Sequence, residues 1–422
     1  MRIAMFTNNY KPFIAGVPIS IERLSKGLKE LGHEVVIFAP DYGNCEDEEG
    51  VIRYRTLYRK DDKGIAVGDC FDSRIGREFA RESFDAIHAH HPMISGYAAL
   101  YMGRKYDIPV AYTYHTRYEE YLHHIKIFQT LEQGGGLDAD LARYGKEVLV
   151  PRCVSAFANA CDLVFAPTKM MEDCLAGYGT KSRIAILPTG LEDRSFMADP
   201  AEVAAINHMY RGEKPFLFST VARLEKEKNM DFLLRGLARL KERIGDSFRL
   251  MVIGDGSQRK QLEALAAQLG VEGNVAFVGK VENSRISAYQ FASDLFLFAS
   301  KSETQGIVLL EAMAAGCPVV ALRASGVVDV VRDGENGYMA KEDEDEWAMA
   351  AAQAVLNRER YPELRRGAAA TAAQYRSLRI AAEAERQYEW MIGRRRKRRA
   401  SQVMNQAVMR MDWRRLFRAG SL

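Results

Sequence analysis

Residues 216–256 read FLFSTVARLEKEKNMDFLLRGLARLKERIGDSFRLMVIGDG. The segment divides into a β-rich run (Phe216–Val221), a charged connection, a helical run (Asn229–Ile244) and a second β-rich run (Arg249–Ile253) that ends on Gly254-Asp255-Gly256. Strand, helix and strand in this order form a βαβ unit, which implies a parallel sheet. A helix over Gln258–Leu269, strands at Val275–Val278, Leu295–Phe298 and Val319–Ala321, and a helix over Ile307–Ala315 continue the same order.

The first half of the chain carries the same grammar. Ile21, Leu24, Leu28 and Leu31 fall at spacings of three and four between β-rich runs at Ile3–Phe6 and His33–Ala39, with Gly32 closing the helix. Further short strands are predicted at Phe84–His88, Pro109–Tyr114 and Leu163–Ala166. Within LPTGLEDRSF (187–196), Pro188, Thr189 and Gly190 interrupt the pattern before it restarts, so the joint lies there. The expected fold class is α/β, with two doubly wound, Rossmann-like domains, residues 1–189 and 190–379, facing a cleft. Such a cleft is the default ligand site. Helices over Trp347–Leu356, Tyr361–Tyr375 and Ile380–Ile392 close the chain, the last crossing back onto the N-terminal domain.

At 422 residues the chain is too long for a single small binding module. Its 47% hydrophobic and 27% charged residues exclude a disordered, collagenous or polytopic membrane chain. The six cysteines form no C-x-x-C pair and read as reduced thiols; with no signal-peptide core at the N-terminus, the expected compartment is the cytoplasm. The net charge of +3 conceals an asymmetry, because residues 393–418 hold ten Lys/Arg and one Asp, leaving the remainder at −6.

Arg394, Arg395, Arg396, Lys397, Arg398 and Arg399 form one basic block. Val403, Met404, Ala407, Val408 and Met411 follow at helical spacing, ending near Trp413, Leu416 and Phe417. Residues 393–422 therefore read as a basic amphipathic tail suited to an anionic membrane surface, which would make the protein peripheral on the inner face of the cell membrane. A solvated tail is the competing reading. Nucleic acid is not expected as a partner, because the aromatics of the body do not interleave with basic runs.

Two stretches carry chemistry. In Ser302-Glu303-Thr304-Gln305-Gly306-Ile307-Val308-Leu309-Leu310-Glu311, a glycine loop follows a strand and opens a helix, whose free N–H groups form an anion site. Glu303 precedes that helix and Glu311 lies about two turns along it; complementing the helix dipole and facing solvent would explain them equally well. In Val221-Ala222-Arg223-Leu224-Glu225-Lys226-Glu227-Lys228-Asn229, Arg223 and Lys228 leave the carboxyl end of a strand, where two cations suit a diphosphate. A solvated charge run has the same letters. Asp138-Ala-Asp140 and Asp343-Glu-Asp345 have D-x-D spacing but no motif context, and no metal site is assigned.

Taken together, GV-x-x-SI (Gly16 to Ile21), AR-x-x-x-x-KN (Ala222 to Asn229), GDG (Gly254 to Gly256) and E-x7-E (Glu303 to Glu311) resemble the retaining glycosyltransferases of family 4, which have the GT-B fold. The resemblance spans nearly all of residues 1–392. Gly16-Val17, the run Tyr112 to Tyr121 and the Glu-Thr-Gln-Gly form of the glutamate loop are similar to the bacterial diacylglycerol glucosyltransferases. At Ser325-Gly326 the chain departs from the Gly-Gly often found there.

The resemblance implies that Arg223 and Lys228 hold a donor pyrophosphate, Glu303 the transferred sugar and Glu311 the ribose. It puts His115 near the sugar's far hydroxyl and the reaction centre, makes His115 and Glu303 the catalytic candidates, and puts His90 on the acceptor side. Gly16 and Gly254 would line the donor, and Gly306, Ile307 and Val308 would offer backbone N–H groups. The implied partners are a nucleotide sugar, most simply UDP-glucose, as substrate and a lipid acceptor such as 1,2-diacylglycerol, with no cofactor. Another acceptor, phosphatidylinositol or a soluble one, and a nucleotide-sugar epimerase of the same fold are the alternatives.

Overall fold

The computed structural model describes residues 1–13, 15–43, 45, 47–60, 65–121, 137–301 and 303–410. The N-terminal half comprises β1 (Arg2–Phe6), β2 (Glu34–Pro40), β3 (Val51–Tyr54), a hairpin of β4 (Thr56–Lys60) and β5 (Ile65–Gly68), then β6 (Ala86–Ala89), β7 (Val110–Thr113), β8 (Leu163–Ala166) and β9 (Ile184–Ile186). Apart from the hairpin these strands form one parallel sheet in the order β3-β2-β1-β6-β7-β8-β9. The C-terminal half contributes β10 (Phe216–Val221), β11 (Phe248–Ile253), β12 (Val275–Gly279), β13 (Leu295–Phe298), β14 (Val319–Leu322) and β15 (Gly337–Ala340), parallel in the order β12-β11-β10-β13-β14-β15.

Helices cover both faces of each sheet, so the central strands are apolar without alternation; Leu295, Phe296, Leu297 and Phe298 are all buried. Strand order reverses between β1 and β6 and again between β10 and β13. Open α/β sheets bind ligands at such reversals, outside the carboxyl ends of the strands. The loops leaving β1, β6, β10 and β13 carry the first glycine loop, His90, Arg223 with Lys228, and Glu303, so topology alone gathers these segments at the two switch points.

The predicted strands and helices form, most within one to three residues of the expected limits. Strands β3, β9 and β15 and the β4–β5 hairpin were not anticipated. All three strands lie at sheet edges and have three or four residues, too few to display a period.

The chain crosses between the halves twice, at residues 188–193 and 375–377. The crossings are hydrogen-bonded to each other, Leu191 N to Tyr375 O at 2.6 Å and Ser377 N to Leu191 O at 2.8 Å. The terminal helix, Ser377–Arg410, then packs Ile380, Ala381, Ala384, Tyr388 and Met391 against Ile3 and Met5 of β1 and Ile21, Leu24 and Leu28 of the opening helix, Gly16–Glu30. The approach is close enough that a Cβ on Gly27 would stand 2.7 Å from Ala381 Cβ. Full burial of each large apolar side chain in this seam is worth about 1.5–3 kcal/mol, which anchors the end of the chain to its beginning.

This helix does not stop at Ile392. It runs through the basic block to Arg410, so Arg394–Arg399 belong to a folded element. Met411, Trp413, Leu416 and Phe417 lie outside the described residues, as do the side chains of Val403, Met404, Ala407 and Val408.

Candidate active site

Beyond β10 the backbone turns at Ala222–Leu224 directly under the GDG loop. Gly254 has φ +130°, and a Cβ there would stand 2.0 Å from Ala222 O; at Gly256 it would stand 2.5 Å from Leu224 O. Only glycine allows this approach. Leu224 N donates to Asp255 O at 3.1 Å and Gln258 N to Leu224 O at 3.0 Å, so the loop carrying Arg223 is backed by the next loop along the sheet. The Glu225 carboxylate accepts Ser257 N and Ser257 Oγ, which holds it below the usual carboxylate range. Arg223 itself extends into solvent, paired with Glu227 at 3.0 Å.

Lys228 behaves differently. Its Nζ lies 3.4 Å from Glu303 Oε2, and both side chains are about four-fifths covered. Asn229 adopts the left-handed conformation (φ 54°) and donates Nδ2 to Ala299 O at 3.2 Å, tying this loop to the end of β13. Gly306, at φ +70°, opens the helix Ile307–Ala314. The first N–H groups of an α-helix, here those of Ile307 and Val308, have no partners within the helix. Gly326 is indispensable to the loop beside it, since its Cβ would stand 2.5 Å from Glu303 O. The glycine of Ser325-Gly326 is thus kept where the contact demands it.

Glu311 is not a free carboxylate. Arg23 of the opening helix, 4% exposed, donates Nη2 to Glu311 Oε1 at 2.8 Å and Nη1 to Gly190 O at 3.1 Å, joining the two halves at the crossover. Gln305, equally buried, makes a second joint with the backbone of Thr189. Neither Arg23 nor Gln305 was expected at the site. An arginine on an amphipathic helix reads as a surface residue, and the only sequence signal for Gln305 was its place between Glu303 and Gly306.

On the N-terminal side four histidines converge. His88 is fully buried, with Nδ1 2.7 Å from Tyr388 Oη and Nε2 2.6 Å from Thr113 Oγ1. His90 stacks on His115, with Nδ1 of the former 3.0 Å from Nε2 of the latter. His91 Nδ1 accepts Asn8 N at 3.2 Å. Burial holds His88 down to about 3 and His91 to about 4, and burial with the neighbouring rings holds His90 and His115 well below the ordinary histidine range. The rings are neutral. His115 is partly exposed, whereas His90 is 1% exposed and lies beneath it rather than on a cleft wall.

A cleft of about 630 Å³ opens between the halves, lined by Lys11, Pro12, Phe13 and Arg23 on one side and by Glu192, Arg194 and Asn283 on the other. A Cβ on Gly16, at the head of the opening helix, would meet no atom within 4 Å. Among the described residues no group of three or more His, Cys, Asp or Glu side chains is arranged to hold a metal ion. Asp343 caps the helix Glu344–Leu356 by accepting Glu346 N at 2.8 Å, and the side chain of Asp138 lies outside the described residues.

Residues 14–194 match the family model described as Glycosyltransferase Family 4, and residues 208–373 the model described as Glycosyl transferases group 1. The alpha-monoglucosyldiacylglycerol synthase of Streptococcus pneumoniae is 31% identical over 334 residues, covering 76% of this chain and 71% of that protein. The chain belongs to glycosyltransferase family 4. A second relative, the alpha-monoglucosyldiacylglycerol synthase of Acholeplasma laidlawii, is 29% identical over 355 residues, 82% of this chain and 86% of that protein. The crystal structure of Anabaena HepE in complex with UDP and glucose superposes with a TM-score of 0.68 at 17% identity, over 92% of this chain and 99% of that one. This family 4 chain is thus a glycosyltransferase with the GT-B fold.

No helix among the described residues is long and apolar enough to cross a membrane. Within the basic block, Arg395 is tied to Asp107 at 2.8 Å and to Asp162 at 3.4 Å, and Arg399 lies 3.6 Å from Asp107. Arg394 sits over the Trp390 ring at 5.3 Å. Arg396, Lys397 and Arg398 are exposed.

Proposed function

We propose that this chain transfers glucose from UDP-glucose to the hydroxyl of a membrane diacylglycerol, keeping the α configuration at the anomeric carbon. The observation that carries this reading is the Lys228–Glu303 pair beside the helix start at Gly306. A cation paired with a carboxylate, three residues before a helix start with free N–H groups, is the set of groups a sugar diphosphate needs. Lys228 and Arg223 hold the pyrophosphate, with Ile307 and Val308 N–H beside it. Glu303 takes the sugar hydroxyls. Glu311, with Oε1 on Arg23, offers Oε2 to the ribose. His115 meets the far side of the sugar, and the Gly16 loop closes over the phosphates.

The acceptor oxygen attacks the anomeric carbon on the face the phosphate leaves. The bond from that carbon to the phosphate oxygen breaks, and the departing phosphate takes the acceptor proton. Preorganised cations and N–H dipoles stabilise the leaving diphosphate. The similarity to two alpha-monoglucosyldiacylglycerol synthases supports the lipid acceptor. The exposed Arg396, Lys397 and Arg398 support an anionic membrane face, which would hold the enzyme on the inner side of the cell membrane where its acceptor resides. Purified protein given radiolabelled UDP-glucose and total lipid should move label into the organic phase; label released only as free sugar would overturn the lipid acceptor.

A further inference from the structure

His90, Ser377 and Arg23 come from three distant parts of the chain and line one cavity of about 10 Å³, together with Ser20, Thr113 and residues 187–190. His90 Nε2, Ser377 Oγ and Arg23 Nε are all buried, and among the described residues none has a hydrogen-bond partner. Arg23 spends its two terminal nitrogens on Gly190 O and Glu311, and its Nε stands 4.0 Å from Glu192 Oε2, outside hydrogen-bond distance. Three residues that each carry an orphaned buried polar atom line a cavity the size of one water molecule, which fits a buried structural water with two to four polar partners.

We infer that this cavity is a water site, and that the water sets the tautomer of His115 through His90. Arginine can only donate, so one lone pair of the water takes Arg23 Nε–H; in the inferred arrangement the water turns its hydrogens to Ser377 Oγ and His90 Nε2. His90 Nε2 is then an acceptor and its proton sits on Nδ1. At 3.0 Å, His90 Nδ1–H donates to His115 Nε2, which leaves the His115 proton on Nδ1. His90 is therefore a positioning residue that acts through His115. The same Arg23 that holds Glu311 and the crossover also polarises the water, so the two ends of the site share one buried guanidinium. The catalytic consequence rests on the proposed contact between His115 and the transferred sugar; the tautomer does not.

The test uses the full chain labelled with [15N]histidine, read by long-range proton–nitrogen correlation. Both His90 and His115 should be neutral, protonated at Nδ1 and bare at Nε2. A His115 protonated at Nε2, or averaging between tautomers, would overturn the relay whatever the substrate proves to be. His90→Asn keeps an N–H at the Nδ1 position, whereas His90→Gln places its amide at the Nε2 position and leaves His115 unheld. Transfer by the Asn variant should stay within about threefold of the parent, and the Gln variant should lose at least about tenfold in kcat with donor KM unchanged. Equal losses in both variants would assign His90 a packing role only. Should both fail to fold, Ser377→Val fills the cavity; it should move the His90 Nε2 resonance, and an unmoved resonance would overturn the water.

Discussion

Gln305 and Thr189 form a closed amide pair: Thr189 N donates to Gln305 Oε1 at 2.8 Å and Gln305 Nε2 donates to Thr189 O at 3.0 Å. Both residues are buried, so the first crossover between the halves is fastened to the glutamate loop by its backbone. Gln305→Ala would orphan both groups where water does not reach, at about 1–3 kcal/mol for each. Gln305→Glu keeps one acceptor, loses the donor, and should cost nearly as much. Urea midpoints would measure this, and unchanged midpoints in both variants would show that the crossover is held elsewhere.

Arg223→Ala and Lys228→Ala should each weaken UDP-glucose binding at least about tenfold, the loss of a charge-assisted contact worth about 1.5–3 kcal/mol. The Arg223–Glu227 pair is exposed and adds little to stability, so that variant should unfold like the parent. Calorimetric titration with UDP-glucose would decide, and full affinity in both variants would remove the clamp.

Removing Glu311 leaves Arg23 charged and buried, which costs about 3–5 kcal/mol. The double variant Arg23→Met with Glu311→Leu should recover most of that stability without recovering UDP binding. Glu303→Ala should instead reduce turnover far more than UDP affinity. Denaturation and UDP titration on the same three proteins separate these effects; UDP binding retained in the double variant would release Glu311 from the ribose.

The buried histidines give stability a pH dependence. Their folded-state values lie below the unfolded value, so the unfolded chain takes up protons first as pH falls. Stability should be intact above about pH 6.5 and decline toward pH 4, each such histidine adding a slope of up to about 1.4 kcal/mol per pH unit. His88→Gln should flatten the melting temperature profile between pH 6.5 and pH 4. A profile as steep as the parent's would assign the slope to other groups.

Arg396→Glu, Lys397→Glu and Arg398→Glu together should abolish sedimentation with anionic vesicles at low salt, since each basic residue near such a surface is worth about 1 kcal/mol. Arg395, which ties the helix to Asp107 and Asp162, stays in place, so UDP-glucose binding should not change. Full vesicle binding by this variant would move the membrane face to another part of the molecule.

Local pattern settled the elements. Alternation of β-rich runs with helical spacing at Phe216–Ile253 and at Ile3–Ala39 determined two parallel sheets, because a parallel strand pair needs a covering crossover. The loop glycines were legible for the same reason: φ +130° at Gly254 and φ +70° at Gly306 are local demands that the letter itself records. The segments bearing Arg223, Lys228, Glu303 and His115 were legible as loops at strand ends.

Partnership was decided only in three dimensions. Arg23 meets Glu311 across 288 positions, Gln305 meets Thr189 across 116, and His88 meets Tyr388 across 300. Nothing in the neighbourhood of any of these residues announces its partner, because burial and pairing depend on which faces the two crossovers bring together. The same holds for the basic block, which the sequence could describe only as a run of charge. Folding continues it as a helix and binds Arg395 to Asp107, while Arg396, Lys397 and Arg398 remain exposed, since a helix turns successive residues toward different surroundings.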